Sequence, residues 1–288
     1  MTSTNKPNIK TKAKTVPARA VVKKRVVQSV SLNSDQAEIY AQAMKLHLEG
    51  SLAMALAIYL KVLKDVPKNF DVNHSLGLVF AQQGNFKDAL KYFKSATSIQ
   101  PSSAQAHNNL ANALISLGEY EKGIIQYNKA IKLNPEYVEA INNRGIAQRK
   151  LKLLDKACAS FTLAIEMKPN FTEAIFNRAN VMVEMKKIDL ALLDYDRVLD
   201  INPGHAGALN NCGVVFRSQK KNELALKNFN RALEVQPNYT EACNNRGYTL
   251  LALKRAKDAI KDFKTALMLN PRYQAAIDGL AQAQQALE

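Results

Sequence analysis

Five asparagines stand 34 residues apart in one recurring phrase: HNNLA at 107–111, INNRG at 141–145, IFNRA at 175–179, LNNCG at 209–213 and CNNRG at 243–247. They are Asn109, Asn143, Asn177, Asn211 and Asn245. A carboxamide carries an N–H donor beside a C=O acceptor, so it can satisfy both polar groups of a peptide unit whatever side chain follows. Asparagine costs a helix roughly 0.6 kcal/mol against alanine, so five in helical segments need a reason. Residues that make and break covalent bonds are scattered by comparison. His47, His74, His107 and His205 fall in no HExxH, and there is no GxSxG and no phosphate-binding glycine loop. Cys158, Cys212 and Cys243 are odd in number and lack CxxC spacing, which suits neither a zinc site nor a disulfide framework. The inventory predicts a binding protein rather than an enzyme, with no catalytic residue, metal or cofactor.

The prolines say which elements must carry these amides. Beyond Pro7 and Pro17 they are Pro67, Pro101, Pro135, Pro169, Pro203, Pro237 and Pro271, each 34 residues after the last. Taking proline as position 32 of a unit gives 36–69, 70–103, 104–137, 138–171, 172–205, 206–239 and 240–273. Position 8 is Ala43, Gly77, Ala111, Gly145, Ala179, Gly213 and Gly247, and position 20 is always Ala or Gly. Position 24 is Tyr59, Phe93, Tyr127, Phe161, Tyr195, Phe229 and Phe263. Small residues let two helix backbones approach while the aromatic ring fills the space beside them, so each unit reads as a tight helical hairpin. The segment RYQAAIDGLAQAQQALE after Pro271 reads as a further helix with a polar outer face, capping the last hairpin over 274–288.

With this spacing and these slots, residues 36–273 resemble the tetratricopeptide repeat family over seven repeats. The resemblance implies an all-α, right-handed α-solenoid superhelix of helix-turn-helix units. The first helix of each unit (A) would line a concave groove and the second (B) would lie mostly outside. The usual Trp at position 4 is replaced by Ile39, Asn73, His107, Ile141, Ile175, Leu209 and Cys243, and Gln42 and Asn73 make the first two repeats atypical. In the family's frame the five asparagines hold position 6, on the groove face, from the third repeat onward. Position 5 adds Asn108, Asn142, Asn210 and Asn244, with Phe176 as the exception, and Asn112 and Asn180 at position 9 lie one turn further on.

Two readings of these amides stand side by side. They form a ladder that holds the backbone of an extended segment of a partner protein, or they cap and cross-link adjacent A helices. The phrases AHNNLANAL and YTEACNNRGYTL are similar to the inner surface of the repeat arrays that precede the catalytic domain of O-linked N-acetylglucosamine transferases. A substrate-recognition region of such a glycosyltransferase, or a partner to one, is therefore the alternative expectation. The carboxylate clamp of chaperone-binding repeats is not matched, because position 5 is never lysine and position 6 never arginine.

Charge adds a third expectation. The formal net charge is +15, and eight of the basic residues (Lys6, Lys10, Lys12, Lys14, Arg19, Lys23, Lys24 and Arg25) fall in residues 1–30 without an acid. With Pro7, Pro17 and no helical period, residues 1–33 read as a basic, disordered tail that solubilises, targets or contacts a polyanion such as RNA. No apolar run is long enough to cross a bilayer and lysines interrupt any secretory core, so a cytoplasmic protein without membrane insertion is expected. Position 15 changes from Gly50, Gly84 and Gly118 to Lys152, Lys186, Lys220 and Lys254. With Lys150, Lys187, Lys221 and Arg255 these make a basic edge on repeats four to seven, either simply solvated or attractive to an acidic partner. Arg144, Arg178 and Arg246 at position 7 face Ser160, Asp194 and Asp262 at position 23, which predicts two ion pairs and leaves Arg144 without one.

Overall fold

A computed structural model describes residues 29–288, so the tail expectation falls almost wholly outside the described residues. The first eight helices are α1 (Ser34–Leu48), α2 (Leu52–Asp65), α3 (Phe70–Gln82), α4 (Phe86–Ile99), α5 (Ala104–Ser116), α6 (Tyr120–Leu133), α7 (Val138–Lys150) and α8 (Leu154–Met167). They are followed by α9 (Thr172–Glu184), α10 (Ile188–Ile201), α11 (Ala206–Ser218), α12 (Asn222–Val235), α13 (Thr240–Ala252), α14 (Ala256–Leu269) and α15 (Gln274–Gln285). Odd numbers through α13 are A helices, even numbers are B helices, and α15 occupies the next A place.

Each boundary has a local cause. Every B helix stops two residues before its position 32 proline, because proline drives the preceding residue out of the α region. Those preceding residues, from Val66 to Asn270, have φ between −140° and −124° and ψ between 64° and 95°. The A-to-B turn requires a left-handed residue at position 15. Gly50, Gly84 and Gly118 take φ of 80°, 74° and 79°, and Lys152, Lys186, Lys220 and Lys254 take 59° to 60°. Glycine adopts this freely, whereas a β-carbon there costs about 1 kcal/mol.

Two packing solutions fill the interior. Where position 24 is Phe, position 8 is Gly: a β-carbon added to Gly77, Gly145, Gly213 or Gly247 would stand 2.5 to 2.8 Å from the ring of Phe93, Phe161, Phe229 or Phe263. Where position 24 is Tyr, position 8 is Ala, and in repeats three and five the hydroxyl reaches position 9. Tyr127 and Tyr195 donate to Asn112 Oδ1 and Asn180 Oδ1, each at 2.6 Å. In repeat one Met44 stands at position 9 and the buried Tyr59 hydroxyl has no partner among the described residues. Ser75 Oγ, which lies close to it, is engaged by the Tyr40 hydroxyl at 2.8 Å, and burial pushes the Tyr59 phenol up to about 12.

Consecutive repeats are joined by further polar contacts. Arg178 holds the Asp194 carboxylate through Nε and Nη2 at 2.7 and 2.8 Å, and Arg246 holds Asp262 in the same way at 2.7 and 2.6 Å. Arg144, expected to lack an ionic partner, donates instead to Ser160 Oγ at 3.1 Å and Asn128 Oδ1 at 3.0 Å. The corresponding Nη1 atoms of Arg178 and Arg246 reach Thr162 Oγ1 and Asn230 Oδ1 at 3.1 and 2.9 Å. Each arginine thus ties its own B helix to the B helix of the preceding repeat. The polar residues that replace apolar ones at position 4 are satisfied by the preceding turn. Asn73 donates to the Pro67 and Asn69 carbonyls at 3.0 and 2.7 Å, and His107 Nε2 lies 3.1 Å from the Pro101 carbonyl.

Across repeats, α3 approaches α5, α7 approaches α9 and α11 approaches α13, while no two B helices come as close. In a curved stack the elements that converge lie inside, so the A helices form the inner wall. Helix α15 covers the open end of the last hairpin, burying Ala276 and Ala283.

Candidate functional site

Position 6 places Asn109, Asn143, Asn177, Asn211 and Asn245 half-buried on five consecutive A helices, α5 to α13. The position 5 amides lie deeper: Asn108, Asn142, Asn210 and Asn244 are 6%, 1%, 5% and 5% exposed. The two sets are bonded to each other across repeats. Asn177 Nδ2 donates to Asn142 Oδ1 at 3.4 Å and Asn245 Nδ2 to Asn210 Oδ1 at 3.1 Å. Asn109 Nδ2 donates to His74 Nε2 at 2.9 Å, and the Tyr40 hydroxyl and Ser75 Oγ make the corresponding link one repeat earlier. Burial holds the His74 pKa below its ordinary value against the opposing pull of Asp71, so the ring is neutral and Nε2 can accept. Where Phe176 removes the position 5 acceptor, Asn211 Nδ2 turns to Asn180 Oδ1 at 2.7 Å.

These bonds are the cross-links of the second reading, and they leave capacity for the first. A primary amide has two N–H donors, of which the inter-repeat bond uses one. The second donor of Asn109, Asn177 and Asn245, and Oδ1 of Asn143, Asn177 and Asn245, have no protein partner among the described residues, whereas Asn211 Nδ2 also reaches the Tyr195 hydroxyl at 3.4 Å. Asn143 forms no side-chain hydrogen bond there at all, and its neighbour Asn108 keeps a buried, unbonded Oδ1. Asn244 ends the series with a buried, unbonded Oδ1, because the position 6 place on α15 is Gly279. Asn112 is exposed and Asn180 half-buried, each orienting Oδ1 toward the tyrosine of its own B helix.

Charged groups border the same wall. Asn142 Nδ2 donates to Glu173 Oε1 at 3.1 Å, beside a cleft of about 290 Å³ lined by Ile146, Arg149, Lys152, Glu173, Asn177 and Glu184. Arg149 Nε and Lys152 Nζ donate to the two oxygens of Glu184 at 2.5 and 2.9 Å. Partial burial alone would raise the Glu184 pKa, and the bonds from Lys152 and Arg149 outweigh it and hold the carboxyl below its usual range. Burial pushes the Cys212 thiol up to about 12 and raises Cys243, so neither supplies a thiolate near neutral pH.

The inter-repeat bonds carry a signal that counting by 34 misses. Residues 40/75, 74/109, 142/177 and 210/245, and also 47/82 and 149/184, are all bonded at a separation of 35, one repeat plus one residue. Scanning for complementary polar pairs at that separation would have found them.

Family models described as tetratricopeptide repeat match residues 40–104, 74–136 and 108–170, and again 206–239 and 240–273. No curated protein matches the sequence. Among solved structures, a tetratricopeptide repeat protein from Parabacteroides merdae aligns with a TM-score of 0.71 at 20% identity, covering 88% of this chain and 100% of its own. PilF of Pseudomonas aeruginosa gives 0.64 at 20% identity over 74% of this chain and 97% of its own. YrrB, described as a repeat protein with an unusual peptide-binding site, gives 0.52 at 22% identity over 66% and 98%. At these identities the likeness is one of fold. With the 34-residue units, the hairpins of α1 to α14 and the family matches together, the chain belongs to the tetratricopeptide repeat family, whose fold is a scaffold suited to protein–protein interaction.

Proposed function

We propose that this chain is a non-enzymatic cytoplasmic scaffold that holds an extended segment of a partner protein against its inner wall. The position 6 amides, with Asn112 and Asn180, bond the backbone of that segment. The observation that carries this reading is the half-used ladder: on α9 and α13 the amide is anchored by one N–H to the neighbouring repeat while its second N–H and its Oδ1 are unbonded among the described residues. On α5 the second N–H stays open while Oδ1 accepts from Asn108 at 3.4 Å. Anchoring fixes the side chain before the ligand arrives, which lowers the ordering cost of binding. An extended segment brings N–H and C=O groups that need partners once water is excluded. Of the buried position 5 amides, Asn142 and Asn210 are the acceptors that set the ladder, and Asn108 and Asn244 keep Oδ1 open beside it. YrrB, which shares the fold, is described as having a peptide-binding site, and this lends the reading support by analogy.

The test separates binding from folding by choosing the two ladder members that contribute least to the stack. Asn143 has no internal bond and Asn177 has a long one of 3.4 Å, whereas Asn211 is held at 2.7 Å. A twelve-residue peptide selected from a random library on the full chain is expected to bind the Asn143→Ala/Asn177→Ala double variant about tenfold more weakly, at roughly 0.5–1.5 kcal/mol per lost bond. The melt should stay cooperative. Unchanged affinity in a folded double variant would assign the amides to cross-linking alone.

A further inference from the structure

Two of the seven A helices carry arginine at position 12 followed by lysine at position 15: Arg149 with Lys152, and Arg217 with Lys220. Position 12 meets position 13 of the next repeat. His47 Nε2 lies 3.0 Å from Gln82 Oε1, and Arg149 with Lys152 grips Glu184 from both sides. In repeat six the same two cations are present, but the residue that should answer them is Ala252. The Arg217 side chain forms no hydrogen bond or ion pair among the described residues; it is half-buried, with the guanidinium carbon 5.9 Å from the centre of the Tyr248 ring. Burial lowers its pKa, as for a cation whose lost hydration nothing replaces.

The surrounding groups do not supply the missing charge. The Tyr248 hydroxyl donates to the Ala275 carbonyl at 2.7 Å, and Asp278, whose charge acts on Tyr248, accepts from Gln274 at 2.8 Å. Lys220 is kept at the rim on a left-handed backbone of φ 60°, where glycine would cost less. A cleft of about 600 Å³ bounded by Val214, Arg217, Lys220, Asn222, Tyr248 and Ala252 opens at this place.

We propose that Arg217 and Lys220 form a carboxylate-binding site, in which an Asp or Glu side chain of the bound segment takes the place that Glu184 holds between Arg149 and Lys152. The chain contains one site in two forms, closed by its own glutamate in repeats four and five and open in repeats six and seven. This inference rests on the peptide reading above and adds register to it. A ladder of amides is indifferent to side chains, and one charge-assisted contact at its C-terminal end fixes which residue of the segment lies where.

The full-length protein is titrated with a capped twelve-residue Ala/Ser peptide bearing one central Glu, with its Gln counterpart, and with inorganic phosphate, while the arginine Nε–Hε resonances are followed. The Arg217 resonance is expected to shift with the Glu peptide, Arg149 to stay in place, and the Glu peptide to bind about tenfold more tightly than the Gln peptide. Ala252→Glu, an exposed position that supplies the internal carboxylate, should abolish that preference, as should Arg217→Gln. A silent Arg217, equal affinities for the two peptides, or a preference that survives Ala252→Glu overturns the site. A shift with phosphate alone also overturns it and assigns the cations to a phosphate-bearing ligand. The Asn143 and Asn177 side-chain amide signals in the same spectra report on the ladder separately. If both peptides move them while Arg217 is silent, only the carboxylate site falls; if neither peptide moves them, the peptide reading falls as well.

Discussion

Tyr59 is the one position 24 tyrosine whose hydroxyl lacks an acceptor among the described residues, because Met44 replaces the asparagine that Tyr127 and Tyr195 find at position 9. A buried polar group without a partner costs about 1–3 kcal/mol, and Met44 is 42% exposed, so little packing is lost by changing it. Met44→Asn is therefore expected to stabilise the chain by about 1 kcal/mol, read as a raised urea midpoint at an unchanged slope. An unchanged or lowered midpoint would mean that the Tyr59 hydroxyl is already satisfied by water. At this scale the sequence was legible in type and silent in partner. The asparagines announced themselves by period, and Arg178 and Arg246 announced their carboxylates. That Asn142 and Asn210 would act as acceptors for Asn177 and Asn245 depended on a one-residue offset between repeats, which the family frame does not display.

At the scale of the element, the hairpins were fully readable because their causes are local. Proline stops each B helix, small residues at positions 8 and 20 let the pair close, and one aromatic fills the gap. The finer alternation of Ala with Tyr and Gly with Phe is also written in the sequence, yet its reason is steric: a methyl group at Gly145 would meet the Phe161 ring at 2.7 Å. The basic edge changed meaning most. Lys152, Lys186, Lys220 and Lys254 occupy turns whose left-handed backbone glycine fills in the first three repeats. Lys186→Gly and Lys254→Gly should each raise stability by up to about 1 kcal/mol, measured as a higher melting temperature of the full chain. A drop in stability on both would show that the lysine side chains contribute contacts that outweigh the backbone cost. If the gain appears, charge is being kept at these turns against the folding preference of the chain, which fits a use for it in binding.

For the whole molecule, stacking turns modest contacts into a surface that no single hairpin possesses. Each repeat touches its neighbours through the buried faces of its helices, and several junctions add a position 7 arginine that bridges successive B helices or a polar bond at a separation of 35 along the inner wall. Those inner bonds serve both readings at once, since cross-linking the A helices is also what fixes the amides as a preformed ladder. The family and its helical architecture could be read from the proline spacing with the small and aromatic slots; which groups on the wall are spent and which remain open could not, because that depends on the offset between stacked helices. The central claim, that the wall recognises peptide backbone, is tested most directly by comparing a selected twelve-residue ligand with the same sequence carrying backbone N-methyl groups at alternate residues. Side chains are then unchanged while half the amide donors are removed. Backbone recognition by the ladder predicts that the methylated peptide binds at least about tenfold more weakly to the full chain, and that this difference shrinks in the Asn143→Ala/Asn177→Ala variant; equal affinity for the two peptides would contradict it.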